Sequence, residues 1–179
     1  MFLQGKNLFL RDLQFNDLEK RVSWLSDPKI THFFTNLATS PITITSMQEW
    51  YQKASKNTNH ELHFAIITND GNHIGGSQLK EIDWRNRSAE FGIFIGEKNE
   101  WGKGYGTEAT KLLIKFGFMS LNLHRIWLRV DADNLAAQKC YEKVGFIKEG
   151  IFRDEVYREG NYHDSVVMSI LKYEYNPNF

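Results

Sequence analysis

The sequence holds one cysteine, Cys140, and three prolines, Pro28, Pro41 and Pro177, in 179 residues. A lone cysteine cannot build an internal disulfide framework or a multi-thiolate zinc site, so a reducing compartment fits best. The prolines form no linker, no segment is low in complexity, and no repeat of about 20–50 residues is visible. There is no excess of either charge: Lys plus Arg and Asp plus Glu number 22 each, a net charge of zero. No overall field therefore draws the chain to nucleic acid or to an anionic membrane. No apolar run approaches the roughly 18 residues that a membrane helix needs, and the apolar stretch within Met1 to Asp12 is too short for a signal peptide. The expectation is a cytoplasmic protein with no nucleic-acid and no membrane partner.

What is present fits one globular body. Hydrophobic residues make up 41% of the chain, charged residues 25% and aromatics 14%. A chain of this length buries roughly 70% of the surface that it exposes when unfolded, so the core needs no staples. Residues 1–179 are expected to form a single domain.

Strands and helices alternate along the chain. After a strand at Leu8 to Leu13, Asn16 with Glu19 reads as a capping box that opens a helix carrying Leu18, Val22 and Leu25, and Pro28 closes that region. Thr45 with Gln48 repeats the pattern ahead of Trp50, Tyr51 and Ala54; these two helices read as lids more than core. Phe64 to Ile67 and His73 to Leu79 flank Asn69-Asp70-Gly71-Asn72, which predicts a hairpin. In the next strand, Ala89 to Ile95, the period of two places Ala89, Phe91, Ile93 and Ile95 on one face and Glu90, Gly92 and Phe94 on the other. A helix with Ala109, Leu112, Leu113, Phe116 and Met119 on its apolar face should lie on the sheet. Arg125 to Val130 reads as a strand returning parallel through a crossover. Asn134 caps a helix that aligns Ala137, Cys140, Tyr141 and Val144, Gly145 is its left-handed stop, and the runs 146–157 and 162–171 form a terminal hairpin. The class is α/β with a mixed sheet flanked by helices.

Glycines at 102, 104 and 106 directly precede the apolar helix. They let the backbone pass close to a ligand and leave N–H groups outward at the positive end of the helix dipole, which is a phosphate cradle. The plain structural reading is a loop that only turns the chain. A Walker loop does not fit, because Gly96 to Gly102 is one residue too long and Lys103 is followed by Gly104 rather than a hydroxyl residue. A dinucleotide fold would want G-x-G-x-x-G directly after the strand, and this chain offers G-x-G-x-G after a gap, although Asp131 does end the next strand.

The stretch Trp101-Gly102-Lys103-Gly104-Tyr105-Gly106-Thr107-Glu108-Ala109 resembles the pyrophosphate loop of the GNAT acetyltransferases, Arg/Gln-x-x-Gly-x-Gly/Ala. Trp101 stands in the Arg/Gln place, as in the branch similar to ribosomal-protein N-terminal and spermidine acetyltransferases. Asn134 to Phe146 resembles the family's N-x-x-A-x-x-x-Y-x-K-x-G-F helix at the expected distance downstream. The resemblance covers Phe64 to about Leu171, with Gly160-Asn161-Tyr162-His163-Asp164 similar to the last-hairpin ending, while residues 1–60 match only in layout. It implies a mixed, V-split sheet with acetyl-CoA in the split. The cofactor's pantetheine would pair with the backbone of Ile93, Phe94 and Ile95, and its pyrophosphate would rest on Gly102, Lys103, Gly104, Tyr105, Gly106 and Thr107. Asn134 and Ala137 would border the pantetheine. Such family members are commonly homodimers.

Acetyl transfer to an amine needs a nucleophile freed of its proton, a polarised thioester carbonyl and a proton for the departing thiolate. Tyr141 matches the family's tyrosine that faces the cofactor sulfur; read from spacing alone, it is a core aromatic. Glu90 is the candidate for removing the ammonium proton, through a water if need be, against a plain reading as a strand carboxylate paired to Arg87 or Arg125. Glu81 corresponds in place to a polyamine-contacting glutamate of the spermidine branch. Cys140 sits beside Tyr141 with no assigned histidine partner, so it reads as core and not as an acyl carrier. The six histidines form no ligand pair on a helix, so no metal is expected. Phe33 and Phe34 lie where the family builds part of its acceptor pocket, in a stretch from His32 to Gln48 without a carboxylate. That weakens a polyamine and leaves Glu81, Glu90 and Asp154-Glu155 as the negative groups. The implied activity is N-acetyl transfer from acetyl-CoA to a primary amine, either a protein N-terminus or a small molecule, by direct attack in a ternary complex. Spermidine or an amino sugar as acceptor, and a CoA-binding module without turnover, are the alternatives.

Overall fold

The structure, a computed structural model, describes residues 2–34, 41–56 and 59–176. Pro177 and positions 35–40 of the presumed acceptor stretch lie outside the described residues. Among the described residues eight strands form one sheet: β1 (Phe2–Gln4), β2 (Leu8–Asp12), β3 (Leu62–Thr68), β4 (His73–Asp83), β5 (Ser88–Ile95), β6 (Arg125–Asp131), β7 (Ile147–Arg158) and β8 (Asn161–Leu171). Their order is β1-β2-β3-β4-β5-β6-β8-β7. Every neighbouring pair is antiparallel except β5 and β6, so the sheet is mixed.

The parallel pair sets the site. It holds through Ser88–Arg125, Ala89–Ile126 and Glu90–Trp127 and then stops, although β5 continues to Ile95 and β6 to Asp131. Beyond that point each strand leans on its other neighbour, β4 or β8, and the sheet opens as a V.

The helices are α1 (Leu18–Leu25), α2 (Pro28–Thr31), α3 (Ile44–Ala54), α4 (Tyr105–Met119) and α5 (Leu135–Val144). β3 shows how they are layered. Phe64 and Ile66 face the main core with Leu113, Ile114 and Phe118 of α4 and Tyr141 and Val144 of α5. Ala65 and Ile67 face a second cluster with Leu13 and with Ala54 of α3. The period of two thus explains why nearly every β3 residue is buried. Full burial of one such aliphatic or aromatic side chain contributes about 1.5–3 kcal/mol.

Several local expectations shift. β1 was not anticipated; it is three residues long and exposed or half-buried, which leaves no pattern to read. The α1 region opens with a 3₁₀ turn in which Asp17, not Glu19, accepts from the Gln14 N–H at 2.8 Å. The buried face of α1 is Leu18, Arg21 and Trp24, with Val22 and Leu25 only half-buried. Trp24 packs so closely on the end of β5 that a Cβ at Gly96 would lie 2.1 Å from its ring. Pro28 does not close a region; it is the first residue of α2, capped by Asp27, a position where its missing N–H costs nothing. α3 begins two residues early, with Thr43 accepting from Ser46 N at 3.1 Å and Ser46 Oγ accepting from Thr43 N at 3.0 Å. Met119, assigned to the apolar face of α4, is exposed at the frayed end of the helix.

Candidate active site

The mouth of the V lies at the N-terminus of α4. Gly102 and Gly104 take φ of +77° and +88°, and a Cβ at either would meet nothing within 4 Å, so the loop is open to an approaching group. The first bond of the helical ladder runs from Glu108 N to the Gly104 carbonyl at 3.0 Å. The Tyr105, Gly106 and Thr107 amides therefore precede the ladder and point out of the helix end. Glu108 fixes this end to the β1–β2 turn by accepting from Asn7 N at 2.7 Å and Asn7 Nδ2 at 2.9 Å. Lys103 is exposed, its Nζ donating to Glu100 Oε2 at 3.0 Å, and Thr107 Oγ1 lies 3.2 Å from Cys140 Sγ.

On β5 the backbone alternates between two directions. Gly96 N donates to the Ile74 carbonyl at 2.8 Å, and the Phe94 carbonyl presses on β4 so closely that a Cβ at Gly75 would lie 2.2 Å from it. Phe91, Ile93 and Ile95 consequently turn their N–H and C=O groups toward the open side. This corrects the expectation for Phe94, whose backbone is engaged with β4 and whose ring faces a cavity on the other side of the strand. Trp101 Nε1 donates to the Ile95 carbonyl at 2.8 Å, tying the glycine loop to the strand end. A loop open to phosphates, a helix N-terminus and an unpaired strand edge together fit an extended ligand with a pyrophosphate at one end and amide groups along its length.

α5 forms the other wall. Asn134 Oδ1 accepts from Ala137 N at 3.1 Å, and Gly145 ends the helix at φ +104°. Tyr141 is buried, with its ring against Phe91 and Phe146 at centroid distances of 6.1 and 5.8 Å. Burial first, and the adjacent Cys140 second, push its phenol well above the ordinary value, which holds it protonated.

Tyr141 and Asn134 line a cavity of about 480 Å³ that continues across the sheet to Phe33, Phe34, Arg21 and Trp50. The structure thus brings Phe33 and Phe34 to the wall, with Phe34 5.7 Å from Phe94 between centroids. Glu90 is buried and stops short of the cavity lining, behind Lys80 (3.2 Å) and Arg129 (3.8 Å). The expected partners differ: Arg125 instead forms its ion pair with Glu149, and Arg87 is exposed. Glu81 is exposed at φ +51° in the irregular end of β4 and does not line the cavity. Asp154 is exposed, and Glu155 pairs with Arg129 at 2.8 Å. Among the described residues no group of three His, Cys, Asp or Glu side chains could hold a metal ion. Among the described residues no helix is long and apolar enough to cross a membrane.

Sequence reasoning missed Arg21, His63 and Asp131, which line the cavity, and Arg158, which pairs with Asp131. Arg21 carried a signal, three residues after Leu18 and three before Trp24 on one helical face. His63 carried none; it is buried against Trp50, its Nε2 is 3.1 Å from Glu61, and burial lowers its pKa. Asp131 and Arg158 form a buried ion pair, and Arg158 also donates to the His32 carbonyl at 3.2 Å. That pairing spans β6, β7 and the α2 region, so no local pattern announces it.

A family model described as an acetyltransferase (GNAT) domain matches residues 7–147. The uncharacterised N-acetyltransferase p20 of Bacillus licheniformis is 32% identical over 97% of this chain and 97% of its own length. The spermidine N(1)-acetyltransferase of Vibrio cholerae is 36% identical over 72% of this chain and 73% of its own. Among solved structures, a spermidine N-acetyltransferase from Vibrio cholerae in complex with CoA and spermine is similar with a TM-score of 0.87 and 31% identity, covering 96% of this chain and 99% of that one.

Proposed function

The chain belongs to the GNAT acetyltransferase family and is an acetyl-CoA-dependent N-acetyltransferase, and from that premise we propose how its residues divide the work. The observation that carries the reading is the split between β5 and β6, with the open glycine loop at its mouth and Tyr141 on its wall. Residues 1–179 act as one domain. The amides of Gly102 to Thr107 hold the pyrophosphate, and Ile93 and Ile95 pair with the pantetheine amides. Asn134 and Ala137 border its far side.

Acetyl-CoA supplies an acyl thioester, and the acceptor supplies a primary amine. The acceptor arrives as an ammonium ion and loses one proton, which Glu90 takes through a water; its Oε2 has no hydrogen-bond partner among the described residues. The amine nitrogen then bonds to the carbonyl carbon as the carbon–sulfur bond breaks. Tyr141 donates a hydrogen bond to the developing thiolate and passes it a proton, and the second amine proton restores the phenol. The sum is an amide, a free CoA thiol and one released proton. A raised phenol pKa keeps the donor loaded and makes the hydrogen bond the larger part of its role.

A second reading, a polyamine acceptor, is favoured by the similarity to the Vibrio cholerae enzymes. The lone Cys140 is unpaired, which supports a cytoplasmic setting. The test is release of CoA thiol from acetyl-CoA with a panel of primary amines. Thiol release that depends on the amine and collapses in Tyr141→Phe supports the reading; release that Tyr141→Phe leaves intact removes Tyr141 from it.

A further inference from the structure

Arg21 is more than nine-tenths buried and lines the acceptor side of the cavity. Its guanidinium lies over the Trp50 ring at 4.3 Å and the Phe94 ring at 5.1 Å, and it reaches so far over β4 that a Cβ at Gly76 would lie 2.7 Å from Nη1. Among the described residues no carboxylate pairs with it, and nothing accepts a hydrogen bond from its Nε. Every other charged residue of the cavity has a partner: Lys80 has Glu90, Arg129 has Glu155, and Asp131 has Arg158. Asp17 is near enough to act on Arg21, but both its oxygens are taken by Arg11, at 2.7 and 2.8 Å. A buried unpaired cation is costly. The two aromatic rings flank the guanidinium, a group whose planar fork of N–H donors matches carboxylate or phosphate.

We infer that Arg21 is the anion-recognising residue of the acceptor site, and that the acceptor is a small primary amine carrying an acidic group, carboxylate or phosphate, a short distance from its nitrogen. Arg21 sits over the Gly76–Phe94 pair, and Phe94 follows Ile93 of the split. One strand residue spans about 3.3 Å, so the anion site lies near the split. A polyamine would bring two or more positive charges toward a buried cation that has no ion-pair partner among the described residues, which works against it.

This inference rests on the acetyltransferase reading above, and its test separates the two. CoA thiol release is measured with β-alanine and β-alaninamide, with phosphoethanolamine and ethanolamine, and with spermidine, using the wild type, Arg21→Gln and Arg21→Lys. The expected result is a kcat/KM at least about 10-fold higher for the acidic member of one pair. The pair that shows it tells carboxylate from phosphate. In Arg21→Gln the preference for the acidic over the neutral member disappears, and it does so through KM; Arg21→Lys, which keeps the charge and loses the fork, falls between. Equal or better turnover of the neutral members or of spermidine by the wild type overturns the inference, even if neither variant folds. Turnover of no member by a protein whose melting temperature acetyl-CoA raises overturns the acceptor class alone. No binding of acetyl-CoA overturns the reading beneath it.

Discussion

The indole N–H of Trp101 donates to the Ile95 carbonyl at 2.8 Å. One residue thereby joins the two parts of the proposed cofactor site, the glycine loop and the end of β5. Trp101 stands where the related motif carries Arg or Gln, and the bond gives the substitution a physical role. Trp101→Phe keeps the ring and removes the donor. It should raise the Kd for acetyl-CoA about 3- to 10-fold, the worth of one neutral hydrogen bond, with little change in kcat at saturation. Titration calorimetry and initial rates read the two quantities separately.

Tyr141→Phe should lower kcat by about 10²- to 10⁴-fold, the range for a lost acid–base group, and leave the acetyl-CoA Kd within a factor of about 2. The ring contacts with Phe91 and Phe146 survive the substitution, so the melting temperature should barely move.

If Glu90 accepts the ammonium proton, Glu90→Gln should lower kcat/KM for the amine by about 10²- to 10⁴-fold and leave the acetyl-CoA Kd unchanged. If Glu90 only holds Lys80 and Arg129, the melting temperature falls and kcat is largely kept. Rates, Kd and melting temperature together separate the two roles.

His73 is buried, its Nε2–H donates to the Gly75 carbonyl at 2.9 Å, and its pKa is depressed to about 4, first by burial. Its ordinary value is 6.5. Between those values the unfolded chain binds a proton that the folded chain refuses, so stability must fall as pH drops from about 6.5 toward 4. His63, lowered by burial as well, adds in the same direction. Urea midpoints across that window should decline with acid, and the slope should weaken in His73→Gln.

Much of this was legible in local chemistry. Gly102 and Gly104 were read from spacing and do take positive φ, Asn134 does cap α5, Gly145 does stop it, and the alternation in β5 placed Glu90 and Phe94 on one face. These features depend on residues within one helical turn or one strand. The direction of the Phe94 backbone was not legible, because it depends on which neighbour β5 pairs with at each step. Arg21 was passed over because a helix face with Leu18 and Leu25 reads as apolar, and only contact with Trp50 and Phe94 shows that a cation is stacked there. The partner of Glu90 was misassigned for a related reason: Lys80 lies across the β4–β5 register, ten residues back in the chain.

The claim on which the rest depends is that the glycine loop at the split holds acetyl-CoA. It is tested most directly by the melting temperature with acetyl-CoA, CoA, NAD and ATP, for the wild type, Gly104→Asp and Gly104→Asn. A ligand at about 100 times its Kd adds roughly 2.7 kcal/mol to the folded state. At φ +88° Asn is tolerated better than most residues and carries no charge, so it isolates backbone strain from the effect of the carboxylate. The account predicts a clear rise with acetyl-CoA and CoA, a small one or none with NAD and ATP, loss of the rise in Gly104→Asp, and most of it kept in Gly104→Asn. A larger rise with NAD or ATP, or a Gly104→Asp protein that folds and still responds fully to acetyl-CoA, would contradict it.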